Sequence, residues 1–88
     1  MGLAQGLAKE YGPKGITANG IVLGLFDTAL SRDNLSDRGE RFWLENCPVR
    51  RKGKLSEASG AVLFLASETA SFINGQMLGV NGGLDWVF

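Results

Sequence analysis

The sequence contains no histidine and a single cysteine, Cys47. Without histidine, the chain has neither the side chain best suited to proton transfer near neutral pH nor the commonest metal ligand. One cysteine excludes an internal disulfide and any multi-cysteine metal site. That usage fits a reducing compartment, so a cytoplasmic protein is expected. Net charge is missing too: nine basic and nine acidic residues cancel, and no long-range field draws the chain to nucleic acid or to an anionic membrane. No apolar run approaches the roughly 20 residues that span a bilayer, and the first residues lack the basic-then-apolar layout of a secretory signal. Internal repeats and low-complexity tracts are absent. The expected partners are small molecules or other protein chains, with no nucleic acid and no membrane.

What is present suits a small folded unit. The 88 residues are 44% apolar and 20% charged, too hydrophobic for intrinsic disorder. A chain of this size nevertheless buries only about 60–65% of the surface it exposes when unfolded, so its core is marginal. Leu3, Leu7 and Tyr11 recur at intervals of four beside Ala4 and Ala8, which places them on one face of a helix running to about Glu10. Gly12 and Pro13 stop it. The apolar, β-branched run Ile16–Leu23 reads as a strand buried on both faces, as parallel sheets require, and Gly24 marks its end. From there to Cys47, charges mix with Leu30, Leu35, Phe42, Trp43 and Leu44, a pattern of one or two short helices. Pro48 to Lys54 reads as a basic connector. Ser56 is expected at or near the start of a second main helix, whose buried stripe is Ala58, Ala61, Val62, Leu65 and Ala66, running to about Ser67. Residues 72–76 turn the chain into a last strand, Met77–Val80, closed by Asn81-Gly82-Gly83. Two strands joined through a helix run parallel if they share a sheet, with a right-handed crossover. The expected fold class is therefore α/β, the C-terminal portion of a Rossmann-like doubly wound parallel sheet. Residues 1–88 form one partial domain, with 29–47 as a lid-like segment.

Several blocks in this order carry a resemblance. Gly2 to Asn19 is similar to the helix-to-strand passage of the short-chain dehydrogenase/reductase family, and Asn19 to Gly24 resembles its asparagine-x-isoleucine-x-proline-glycine element. Thr28 falls where that family places a threonine four residues after the glycine. Pro48–Gly53, Val62–Ser67, Ile73–Gln76 and Val80–Gly83 match further blocks. The resemblance implies an NAD- or NADP-dependent oxidoreductase in which the segment from Leu23 to Thr28 wraps the nicotinamide. By that carry-over Gly24, Phe26 and Thr28 are the cofactor contacts, through backbone amides and the threonine hydroxyl. Two plainer readings stand beside it: Gly24 as a strand terminator, and Thr28 as the N-cap of a helix starting at Ala29.

The resemblance also makes 29–47 the substrate lid, in which Leu30, Phe42 and Trp43 touch either substrate or simply one another, with packing favoured. Cys47 has no activating partner and is expected to be inert. Arg50, Arg51, Lys52 and Lys54 are expected to form a solvated surface rather than a phosphate site. Three positions depart from the family: Leu23 replaces a proline, Asn74 a common threonine, and Asn81 a common aspartate. The family's glycine-rich pyrophosphate loop and its tyrosine–lysine catalytic pair have no counterpart here; on the Leu7–Glu10 alignment the lysine would fall a few residues before Met1. Tyr11 is followed by Lys14 across a Gly-Pro break and is read as a packing residue.

The expectation is thus a truncated C-terminal fragment of an NAD(P)-dependent oxidoreductase that contains no catalytic residue, binds no cofactor or metal alone and is inactive alone. The alternative is a non-catalytic interaction module. In the family the first helix and the last helix and strand lie on subunit interfaces, and a two-stranded unit leaves apolar edges and faces uncovered. A homo-oligomer is expected, or docking on a full-length relative.

Overall fold

A computed structural model of the chain describes residues 2–84, so Met1 and residues 85–88 of the expected domain lie outside the described part. Helix α1 spans Gly2–Tyr11, strand β1 Gly20–Leu23, helices α2 and α3 Ala29–Asn34 and Asp37–Asn46, helix α4 Leu55–Leu65, and strand β2 Met77–Val80. Short 3₁₀ turns follow α1 at Gly12–Lys14 and α4 at Glu68–Ala70. The two strands pair parallel, Gly20 opposite Met77 through Leu23 opposite Val80, and α4 packs against both. The class is α/β with a parallel sheet, as the residue pattern implied.

Where β1 begins differs from the expectation. The apolar run starts at Ile16, but the ladder starts only at Gly20, because the partner segment bends at Gly75, whose φ is +71°. Side chains replace the ladder there. The Ala18 N–H donates to Asn74 Oδ1 at 2.9 Å, and its carbonyl accepts from the Gly75 N–H at 2.8 Å. Asn19 works in both directions: Nδ2 donates to the Ile73 carbonyl at 3.1 Å, and Oδ1 accepts from the Gln76 N–H at 3.0 Å. Asn74, where threonine was expected, is therefore the group that closes the entrance to the sheet. Glycine at 75 also lets the turn come close to α1, since a Cβ there would lie 3.4 Å from that of Ala8.

The helices bury narrower faces than their periodicity suggested. In α1, Ala8 is buried and Ala4 and Tyr11 half-buried, while Leu3 stays 77% exposed. In α4 the inward stripe is Ala58, Ala61 and Leu65, while Val62 is 54% exposed and Ala66 is also outside. Ser56 is not the cap of α4: it lies one residue inside, and the Lys54 N–H is satisfied by Glu57 Oε1 at 2.9 Å. A glutamate three residues past the N-cap is half of a capping box and was readable as such. Nor is β1 buried on both faces, since Leu23 remains 49% exposed.

Among the described residues the buried apolar side chains fall in two small groups: Ala8 and Ala70 beneath α1 and α4, and Phe26, Cys47 and Leu84 beyond the sheet's C-terminal end. The radius of gyration is 15.3 Å, against about 12 Å for a compact chain of this length. The sheet entrance thus rests on directional hydrogen bonds more than on a core. Replacing Asn19 by alanine strips two partners at once and should lower stability by about 1–2 kcal/mol. Asn19→Asp keeps the acceptor for Gln76 and loses only the donor, so its loss should be smaller. Urea unfolding of the three proteins checks the order.

Candidate functional site

The parallel strands end together at Leu23 and Val80, and in open α/β sheets ligands collect beyond the carboxyl ends of the strands. The segment 24–28 emerges there. Its first residue continues the ladder, with the Gly24 N–H donating to the Val80 carbonyl at 3.0 Å. Gly24 then passes so near β2 that a Cβ would lie 2.8 Å from Asn81 Cα. The glycine is required by this close packing at the end of the strand.

Phe26 forms an isolated parallel bridge with Gly53. The Gly53 N–H donates to the Leu25 carbonyl and the Asp27 N–H to the Gly53 carbonyl, each at 2.9 Å. A parallel bridge of this kind uses the groups flanking Phe26 and turns Phe26's own N–H and carbonyl to the opposite side. On that side Ser31 Oγ donates to the Phe26 carbonyl at 2.8 Å. The phenyl ring is buried and lies over Gly53, where a Cβ would come within 2.6 Å of a ring carbon. Only the backbone of Phe26 is left to meet a ligand.

Thr28 caps α2. Its Oγ1 accepts from the Ser31 N–H at 3.1 Å, and Ser31 Oγ accepts from the Thr28 N–H at 3.1 Å, a reciprocal box. The cap occupies one lone pair of the hydroxyl and leaves its proton and a second lone pair. Asp27 and Arg32 pair at 2.8 Å on the exposed side of the same turn.

Behind the turn lies a mostly apolar cavity of about 170 Å³, walled by Phe26, Trp43, Leu44, Cys47 and Leu84. Of the three lid residues, half-buried Trp43 packs at this wall, while Leu30 and Phe42 point outward. Cys47 is buried with its Sγ 3.5 Å from the Gly82 carbonyl. Asn81 Oδ1 accepts from the Gly83 N–H at 3.0 Å, so the residue that departs from aspartate still closes the turn after β2. Tyr11 stands far along the chain from this turn, with Lys14 Nζ 5.8 Å from its ring centroid; the cation faces the ring and not the hydroxyl.

The basic connector is largely the solvated surface its composition suggested, with Arg50, Arg51 and Lys54 exposed, but two of its cations are paired. Arg51 grips Glu57 with both guanidinium prongs, at 2.7 and 2.9 Å, and also donates to the Lys52 carbonyl at 3.1 Å. Lys52, its side chain only 17% exposed, pairs with Glu40 of α3 at 2.8 Å. Folding brings α3 and α4 to the connector, and their carboxylates take two of its four cations. The hydrogen bonds from Arg51, then from the Lys54 N–H, hold the Glu57 carboxyl down at about 2 from an ordinary 4.5, and the same contact raises Arg51.

Comparison with known proteins places this geometry. Residues 1–85 match the family described as enoyl-(acyl carrier protein) reductase. A structure of a short-chain type dehydrogenase/reductase from Mycobacterium ulcerans superposes with a TM-score of 0.87 at 31% identity, covering 94% of this chain and 30% of that one. The chain belongs to the short-chain dehydrogenase/reductase family. Within it, the chain is 40% identical over 84 residues to the 3-oxoacyl-[acyl-carrier-protein] reductase of Chlamydia trachomatis, covering 96% of this chain and 34% of that protein. It also superposes, with a TM-score of 0.89 and 34% identity, on an NADP-bound Agrobacterium tumefaciens structure designated a 2-deoxy-D-gluconate 3-dehydrogenase, over 94% of this chain and 34% of that one. The chain therefore spans about a third of the length of the relatives it matches. The family is one of oxidoreductases, and NAD(P) is its implied cofactor.

Three residues that shape the site, Asn19, Gly53 and Glu57, had no site role in the residue pattern. Only Glu57 left a readable signal, its place three residues after Lys54. Because its folded pKa is depressed, the Glu57 pair contributes stability in full above pH 4.5 and loses it as pH falls toward 2. The pair is solvent-exposed, so salt reduces the effect. Melting temperatures of the natural chain and of Glu57→Gln should differ above pH 4.5 and converge near pH 2.

Proposed function

We propose that this chain supplies the nicotinamide-side turn and the lid of an NAD(P)-dependent oxidoreductase, with Gly24, Phe26 and Thr28 at the cofactor, and that its 88 residues alone do not catalyse the reaction. One observation carries the first part: a turn at the carboxyl ends of two parallel strands, held on one side by Gly53, which directs the Phe26 N–H to the other. A peptide N–H donates to a carboxamide oxygen, and the spare lone pair and proton of the Thr28 hydroxyl suit the same group. These residues fit a nicotinamide carboxamide. The cofactor, when bound, supplies hydride exchange with a carbonyl or alcohol carbon.

In that site the chain's own residues orient and enclose. The bridge to Gly53 and the α2 cap fix the Phe26 backbone and the Thr28 hydroxyl before any ligand arrives, so little conformational freedom is lost on binding. Trp43 and Leu44 bring α3 over the back of the turn and limit water access there. The second part of the proposal rests on chemistry. Hydride transfer to a carbonyl needs a proton donor at the oxygen, and the position four residues after Tyr11, the sole tyrosine, is Gly15 and not lysine. No glycine cluster here follows a strand and opens a helix, where a pyrophosphate would be cradled.

Calorimetric titration with NAD(H) and NADP(H) should therefore show no saturable binding in the micromolar range and no turnover. At millimolar cofactor, amide resonances of Gly24, Phe26 and Thr28 should shift ahead of those of α1. Low-micromolar binding would refute the second part, and shifts confined elsewhere the first.

A second reading, self-association, is favoured by the exposed apolar side chains of α4 and of the sheet: Val62, Leu63, Phe64, Leu23 and Leu78. Burying a few hundred Å² of such surface at about 25 cal/mol per Å² contributes several kcal/mol before association costs, comparable with the roughly 5 kcal/mol that holds a small domain together. We infer a homo-oligomer whose melting temperature rises with concentration. Light scattering across a dilution series checks it, and a constant monomer mass together with cooperative unfolding would refute it.

A further inference from the structure

The hydrogen bonds of the connector end on a surface carboxylate far from the turn in sequence. Glu57 Oε1 accepts from both Arg51 and the Lys54 N–H, and Oε2 accepts from the second Arg51 prong. Arg51 in turn donates to the Lys52 carbonyl. Residues 51 and 54 are thus tied to one carboxylate, with Lys52 held through Arg51, and Gly53 lies inside that span. Its N–H and carbonyl are the two groups that hold Leu25 and Asp27. On its other flank Lys52 reaches Glu40 on the lid helix α3.

We propose that Glu57 is a positioning residue for the Gly24–Thr28 turn: by clamping Arg51 and Lys54 it sets the backbone of Gly53, and Gly53 sets the direction of the Phe26 N–H. The proposal rests on the reading of that turn as the nicotinamide contact. A carboxylate at the third position of a helix ordinarily does no more than cap it. Here the two-pronged grip on Arg51 adds a second task, because a bidentate guanidinium pair fixes orientation as well as distance. The clamp is exposed, so its share of the overall stability is small and its larger effect is local, on how often the bridge opens. Arg50, just before Arg51, sits at φ +62°, a conformation that costs a non-glycine residue energy and persists only where the surroundings hold it; its N–H donates to the Cys47 carbonyl at 2.9 Å.

Native-state amide exchange on the 88-residue chain tests this. Glu57→Gln keeps a neutral acceptor for the Lys54 N–H and loses the charge that grips Arg51. The amides of Gly53 and Asp27 should accelerate roughly threefold or more beyond those of Gly24 in the ladder and Ala66 at the end of α4, which follow only the small loss of overall stability. Arg51→Lys, which keeps a charge but not the fork, should fall between the natural chain and Glu57→Gln. Gly53→Ala places a Cβ against the Phe26 ring and serves as the control in which the bridge opens whatever the clamp does. Unchanged Gly53 and Asp27 amides in Glu57→Gln would overturn the proposal. So would uniform acceleration that includes Gly24, since Glu57 would then be a general stabiliser. A millimolar NAD titration of the same samples separates the two readings. Loosened bridge amides without cofactor shifts at Gly24, Phe26 and Thr28 would leave the coupling standing and remove the nicotinamide assignment. Cofactor shifts that are present in the natural chain and equally large in Glu57→Gln would keep the assignment and overturn the coupling.

Discussion

The fold depends on a four-residue parallel ladder between segments at opposite ends of the chain, Gly20–Leu23 and Met77–Val80. Closing so long a loop costs conformational entropy before any contact compensates for it. Four residues of pairing are too few to hold alone, since two-stranded units are marginal in water. The ladder is therefore extended at both ends. At its entrance the side chains of Asn19 and Asn74 carry the alignment, and at its exit the Gly24 N–H adds one more backbone bond to Val80. Glycine at 24 has a steric reason, since a Cβ there would meet the Asn81 backbone, whereas at Gly20 a Cβ would meet only the flexible end of Met77.

The exit of the ladder sets where the site can form. Once Gly24 is pinned to β2, the next residues must leave the sheet, and each finds a separate anchor: Phe26 at Gly53, then Thr28 at Ser31. These anchors belong to different elements. The turn consequently joins the sheet, the lid helices and the start of α4. The residues that the family likeness assigns to cofactor also have structural tasks. Gly24 and the ring of Phe26 serve packing, while the backbone N–H of Phe26 and the spare capacity of the Thr28 hydroxyl remain for a ligand.

Hydrophobic burial contributes less here than in most domains. Ala70 and Ala8 are small, and larger apolar groups such as Leu3, Leu63 and Phe72 lie in water in the isolated chain. The polar network compensates in part. All the side-chain bonds that close the sheet entrance and the connector come from asparagine, glutamate, arginine or lysine. Directional bonds of this kind define geometry more sharply than they stabilise it.

Element order was legible in the sequence because it follows from periodicity and breakers: Gly12 and Pro13 end α1, the β-branched run makes β1, and Met77–Val80 emerges at its expected bounds. The family resemblance was carried by local blocks in order, and 24–28 was identified with them. Local rules erred where a distant segment decides the outcome. Ile16 to Asn19 have strand-forming residues but no straight partner, because Gly75 bends the opposite chain. Leu3 and Val62 have helical periodicity but stay mostly exposed among the described residues. The cations of 50–54 are mostly solvated as their composition implied, but the approach of Glu40 on α3 to Lys52 had no signal in the sequence. Sequence by itself determined which segments could be helix or strand and which family they resemble, since those depend on neighbours within a few turns. Tertiary structure alone decided that Gly53 would hold Phe26 and that Asn19 and Asn74 would close the sheet entrance, because hydrogen bonds between segments some 25 to 60 residues apart leave no periodic trace in the chain.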